Sequence, residues 1–96
     1  MARKDFLDEM IAERTKASAE FPELLDAAVR RRRLLEALAA EREAKGLSQT
    51  VVAARMHTSQ SAVARIEKAE VDVKLSTVER YAAAVGKRVH WELTDA

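Results

Sequence analysis

The stretch from Leu47 to Lys68, LSQTVVAARMHTSQSAVARIEK, leaves the chain little choice of fold. It holds two short helical patterns, each opened by a serine suited to cap a helix N-terminus, Ser48 and Ser59. Val52, Ala53 and Met56 form the inner face of the first pattern, and Val63 and Ile66 that of the second. Ala53 is small where two steeply crossing helices must come close. His57 ends the first pattern at a position that wants a positive φ, where glycine is usual and His, Asn and Asp are tolerated. Thr58 and Ser59 then make the turn. Gln60, Ser61, Ala64, Arg65 and Lys68 remain on the outer side, short and polar where the second helix starts. A helix pair that merely packs is the competing reading, and it gives no reason for that polar face.

The same punctuation organises the rest. Gly46 follows the periodic run Leu34-Leu35-Leu38-Ala39-Arg42, and Gly86 follows Val78-Tyr81-Ala82-Val85, so each marks a helix end. Ser76 with Glu79 predicts a capping box, and Pro22 suits a first helical turn. Phe6, Leu7, Met10 and Ile11 predict an amphipathic helix over about 5–17, and Phe21, Leu24, Leu25 and Ala28 open another. Arg30-Arg31-Arg32-Arg33 puts charge on every side of one turn, which reads as a boundary. A solvated junction explains these arginines, with phosphate contacts or a localisation signal as the alternatives. Three segments follow: a helical extension over 1–33, a helix-turn-helix domain over 34–86, and a tail over 87–96. Aliphatic side chains dominate while aromatics are confined to Phe6, Phe21, Tyr81 and Trp91, as a core of packed helices requires.

In the tail the period changes. Val89, Trp91 and Leu93 alternate with Arg88, His90 and Glu92, which predicts one short β-strand with an apolar face. A lone strand needs a partner, and the same strand of a second copy is the nearest candidate, making Val89, Trp91 and Leu93 the expected dimerisation residues. The alternative is Trp91 folding back on the helices as a plug.

Several function classes have no support. Net charge is only +1, although residues 48–69 are locally basic, with Arg55, Arg65 and Lys68 against Glu67. There is no cysteine, which suits a reducing cytosol, and the N-terminus lacks the apolar core of a secretion signal. No apolar run reaches membrane-span length. The two histidines, His57 and His90, form neither ligand nor triad spacing, and no glycine-rich loop precedes a helix. The expectation is a cytoplasmic, non-enzymatic protein with no metal, cofactor or membrane partner.

Leu47-Ser48-Gln49, Ser59-Gln60-Ser61 and Arg65-Ile66-Glu67 together resemble the XRE family of regulators, of the phage Cro and lambda-repressor type, over about 34–86. The resemblance implies an all-α, lambda-repressor-like helix-turn-helix bundle, here with the N-terminal extension and the C-terminal strand added. It implies that Gln49 meets a phosphate of double-stranded DNA while Gln60, Ser61 and Arg65 face bases, with Ser59 and Lys68 beside them. The chemistry agrees, since Gln pairs bidentately with adenine, Arg with guanine, and Ser with either edge. Glu67 is implied to act within the domain, partnered by Arg42 or Arg55. His57 replaces the usual turn glycine, and Ala69 stands where a glycine commonly follows the glutamate. A palindromic operator and a homodimer are expected from the family's paired reading heads.

The layout of helical extension, Phe21-Pro22-Glu23-Leu24-Leu25 joint, XRE domain and strand resembles HigA-type antitoxins. That implies autorepression of an operon and capture of a toxin, typically a RelE-like, ribosome-dependent mRNA endonuclease. Phe6, Met10 and Ile11 form the candidate toxin-binding surface, unless their helix packs on its own domain. The alternative function is a stand-alone XRE-type regulator with no toxin partner.

Overall fold

The structure is a computed structural model and describes residues 22–69 and 72–95; Phe6, Met10 and Ile11 lie outside them. The described residues form four helices: α1 (Pro22–Ala44), α2 (Gln49–Arg55), α3 (Gln60–Lys68) and α4 (Leu75–Ala84). The chain divides into two units between Arg31 and Arg32. In the first, Leu24, Leu25 and Val29 are exposed. The four arginines lie inside α1, which does not break there, and all four are exposed.

In the second unit, Leu35 and Leu38 from α1, Val52, Ala53 and Met56 from α2 and its end, Val63 and Ile66 from α3, and Val78, Tyr81, Ala82, Ala84 and Val85 from α4 and its end form one buried cluster. Each large apolar side chain moved out of water stabilises this unit by roughly 1.5–3 kcal/mol. Val52, Val63 and Ala82 are wholly shielded from solvent.

Three helices end in the same way. Leu47 N–H bonds Arg42 O (3.0 Å) and Gly46 N–H bonds Glu43 O (2.9 Å); Lys87 N–H bonds Ala82 O (2.8 Å) and Gly86 N–H bonds Ala83 O (3.0 Å). Thr58 N–H to Ala53 O (2.9 Å) and His57 N–H to Ala54 O (3.2 Å) repeat this Schellman pattern at the turn. The left-handed residue of each is Gly46 (φ 69°), Gly86 (φ 76°) and His57 (φ 57°), so His57 takes the backbone role its position demanded. Ala69 is also left-handed, at φ 53°.

Serine caps form at both α2 and α3, with Ser48 Oγ accepting from Val51 N–H (3.1 Å) and Ser59 Oγ from Ala62 N–H (3.2 Å). Pro22 is the first described residue of α1. The Ser76–Glu79 capping box does not form. Helix α4 begins at Leu75, two residues too early for Ser76 to cap it, and Lys74 supplies the extended cap residue without a side-chain bond. Val73 packs on the core just ahead of it and Val78 is buried inside it, so burial sets the start and outweighs a cap worth about 1 kcal/mol.

The predicted C-terminal β-strand is also corrected: no strand forms among the described residues, and 87–95 has no regular secondary structure. Strand geometry is held by a ladder, and no described segment runs beside the tail to supply one. Val89 packs against the core of its own chain, while Trp91 is 45% and Leu93 100% exposed, so Trp91 is not a buried plug either.

Candidate DNA interface

Helix α3 is held by its inner residues Val63 and Ile66, and this packing turns Gln60, Ser61, Arg65 and Lys68 to solvent. Ala64 is half-buried among them. Ser59 lies at the entrance, its hydroxyl engaged by the cap and 3.2 Å from the Ser61 hydroxyl. The first turn of α3 contains no acidic residue and its last turn carries Arg65 and Lys68.

Behind this face sits a polar hub centred on Glu67. Arg42 reaches across from α1, its Nε donating to Glu67 Oε2 (2.7 Å), its Nη2 to Oε1 (3.1 Å) and its Nη1 to Leu47 O (2.9 Å). The Tyr81 hydroxyl donates to Glu67 Oε2, and Gln49 Nε2 donates to Oε1 at 2.9 Å. Side-chain exposure is 11% for Arg42 and 10% for Glu67, so this pair is largely withdrawn from water. Burial alone would push the Glu67 carboxyl up, but hydrogen bonds from Arg42, Tyr81 and Gln49, with the Arg42 charge, hold it below its usual value. Burial, followed by the hydrogen bond to Glu67, pushes the Tyr81 hydroxyl far above the ordinary phenol value. The hydrogen bond to Glu67 raises Arg42 further, against the opposing effect of burial.

The hub touches the outer face through Gln49. This half-buried side chain accepts a 2.6 Å hydrogen bond on Oε1 from Gln60 Nε2, so the first residues of α2 and α3 are joined by their amides. The structure thus brings together Gln49 and Gln60, leaves Arg65 and Lys68 without a described ion pair, and resolves the partner of Glu67 as Arg42. Arg55 instead donates to Ala84 O (2.8 Å) and, with Lys45 on Val85 O, satisfies the carbonyl end of α4. Tyr81 was missed by sequence reasoning as part of the hub. The signal was there: a tyrosine on the inner face of a helix must find a partner for its hydroxyl.

His57 and His90 are exposed, and no group of His, Asp or Glu among the described residues could hold a metal ion. A groove of about 410 Å³ lined by Arg55, Met56, His57, Arg80, Ala83, Ala84 and Gly86 includes none of the outer residues of α3. No helix among the described residues is long and apolar enough to cross a membrane.

A family model described as helix-turn-helix matches residues 38–91, more than half of the chain. This chain belongs to the helix-turn-helix family. The match begins at the buried Leu38 of α1 and runs past Gly86 to Trp91, enclosing α2, α3 and α4. Two curated relatives are both called "Antitoxin HigA1", from Mycobacterium tuberculosis strains CDC 1551 / Oshkosh and ATCC 25618 / H37Rv. Each is 44% identical over 85 residues, covering 88% of this chain and 57% of the relative. The chain therefore spans a little over half the length of these relatives. No solved structure matches it. The XRE-type, HigA-like resemblance carried by Leu47-Ser48-Gln49, Ser59-Gln60-Ser61 and Arg65-Ile66-Glu67 is borne out.

Proposed function

We propose that this helix-turn-helix protein is a sequence-specific repressor acting in the cytoplasm as the antitoxin of a toxin-antitoxin pair, repressing its own operon and neutralising a RelE-like toxin. The observation that carries the DNA-reading part is the solvent face of α3, where Gln60 stands braced by Gln49 and Ser61, Arg65 and Lys68 stand open beside it. A helix of this composition fits the major groove: Gln60 reads adenine, Arg65 guanine, Ser61 a neighbouring edge, while Gln49, Ser59 and Lys68 meet the sugar-phosphate backbone. The antitoxin part is supported by the 44% identity across 88% of the chain to proteins named as antitoxins.

The reading unit, 34–86, is flanked in this proposal by a toxin-capturing extension over 1–33, anchored by Phe6, Met10 and Ile11, and by a dimerising tail over 87–96. The exposure of Trp91 and Leu93 supports the latter, with Val89 steadying the tail from inside its own chain. Two copies would read a palindrome with half-sites about 34 Å apart. The test is to co-express the chain with the product of the neighbouring gene, purify the complex, and titrate its promoter DNA at several salt concentrations. Expected are co-purification, sequence-selective binding whose affinity falls steeply with salt, and a dimer by sedimentation. A chain that binds its promoter but never retains or neutralises the neighbouring product is a stand-alone regulator. Loss of all salt-dependent DNA binding refutes the reading altogether.

A further inference from the structure

We propose that the groove between the C-terminal ends of α2 and α4 is the seat for the tail of a second copy of this chain, with Trp91-Glu92-Leu93-Thr94-Asp95 of each copy lying in the groove of the other. The inference deepens the proposed dimer and rests on it, supplying the surface that receives the tail.

The groove, about 410 Å³, combines an apolar floor with a cationic rim. Met56 and Ala84 are buried beneath it, while Arg55, His57 and Arg80 are exposed along it. No acidic residue lines it, and Arg80 forms no ion pair among the described residues. The bond from Arg55 Nη1 to Ala84 O (2.8 Å) holds that side chain in place and leaves its remaining guanidinium N–H groups to meet a carboxylate. The site asks for an apolar segment that carries negative charge.

The tail has that composition. Trp91 is 45% and Leu93 100% exposed, and Glu92 and Asp95 are exposed and form no ion pair among the described residues. Extended chain sends alternate side chains to opposite sides, so Trp91 and Leu93 can take the floor while Glu92 turns to the rim. Asp95 brings a second carboxylate at the end of the segment. Its own groove is not reached: Lys87 pairs with Glu41 of α1 at 3.6 Å, Val89 packs on the core, and none of residues 87–95 lines the groove although Gly86, at the root of the tail, does. The occupant therefore comes from another chain. A two-fold dimer seats both tails at once, because a contact from one copy to the other implies its reverse. A DNA backbone also carries negative charge, but phosphates offer nothing apolar to the floor, and none of the outer residues of α3 borders the groove.

The experiment is sedimentation of the full chain across micromolar concentrations, with circular dichroism to show that each variant is folded. The native chain is expected to dimerise, and the emission of Trp91, the sole tryptophan, to move to shorter wavelength as concentration rises. Arg80→Glu, and separately Glu92→Arg combined with Asp95→Arg, set like charges against each other and are each expected to weaken the dimer by about a hundredfold. Leu93→Ser, at a side chain wholly exposed in its own chain, is expected to weaken it by about tenfold. Mixing the two charge variants is the decisive arm. The acidic tail of the first meets the native groove of the second, and the basic tail of the second meets Glu in place of Arg80, so a one-to-one heterodimer should outcompete either homodimer. Absence of that heterodimer overturns the reciprocal seating. A native dimer that both charge variants leave intact overturns the groove as its seat while the proposed dimer stands, whereas a monomeric native chain refutes both. Arg80→Glu that weakens promoter binding without weakening the dimer makes the rim a phosphate contact and overturns the inference.

Discussion

Arg42→Met should unfold this domain more readily, and its pH dependence should show that charge is the cause. The substitution keeps an apolar stem in the space of the arginine but removes the cation from a pair that is 11% and 10% exposed, together with the bond to Leu47 O. Stranding a buried charge costs about 3–5 kcal/mol. Tyr81 and Gln49 still donate to Glu67, which places the expected loss near the lower end, at about 3 kcal/mol. For a unit the size of Arg32–Ala96 that is a large part of a total stability of roughly 3–10 kcal/mol. The melting temperature should drop by about 12–24 °C. Urea unfolding followed by circular dichroism at pH 7 and below pH 4.5 is the assay. In the native protein Glu67 has a lowered carboxyl value, so its contribution is full above the unfolded value of 4.5 and is lost as pH falls through the folded one. Without Arg42, burial is opposed by fewer donors and the folded value rises, so the variant gains relative to the native protein as acid neutralises Glu67. The gap between the two should therefore narrow on acidification. A gap that stays constant refutes the electrostatic reasoning and leaves lost packing as the whole effect.

Ala69→Gly should raise stability by up to about 1 kcal/mol, because relief of a left-handed alanine at φ 53°, about 1–2 kcal/mol, exceeds the extra chain entropy of glycine; thermal melting checks it, and a lowered midpoint refutes it. Stability should fall as pH rises above about 10, since the unfolded Tyr81 loses its proton there while burial and Glu67 keep the folded one protonated; a Tyr81→Phe variant should show a flatter alkaline limb in urea titrations. Arg65→Ala should lose about 1–3 kcal/mol at one base pair in operator-variant assays, whereas an equal loss on all sequences would make it a phosphate contact. Replacing Phe6, Met10 and Ile11 with polar residues should abolish toxin neutralisation in co-expression growth assays while operator binding persists, since anchors of this size dominate interfaces. Neutralisation that survives the triple substitution places capture elsewhere.

Local chemistry by itself determined where α2 and α3 begin and where α1, α2 and α4 end. Ser48 and Ser59 cap because their hydroxyls need only a backbone amide three residues on, and Gly46, His57 and Gly86 turn the chain because left-handed backbone is set residue by residue. The inner faces of α2, α3 and α4 were equally legible, because helical periodicity places Val52, Val63, Ile66 and Val78 on one side whatever lies opposite. Partners distant in the sequence were another matter. Both Arg42 and Arg55 could have met Glu67, and only the crossing of α1 over α3 chose the first and sent the second to the end of α4. Gln49 and Tyr81 joined the same carboxylate for the same reason: a donor's reach is decided by how helices cross, which no local pattern encodes. Ser76 failed as a cap where burial of neighbouring valines moved the helix start. The alternation of Val89, Trp91 and Leu93 did not become a strand, because a strand is a property of two segments and the described chain supplies one.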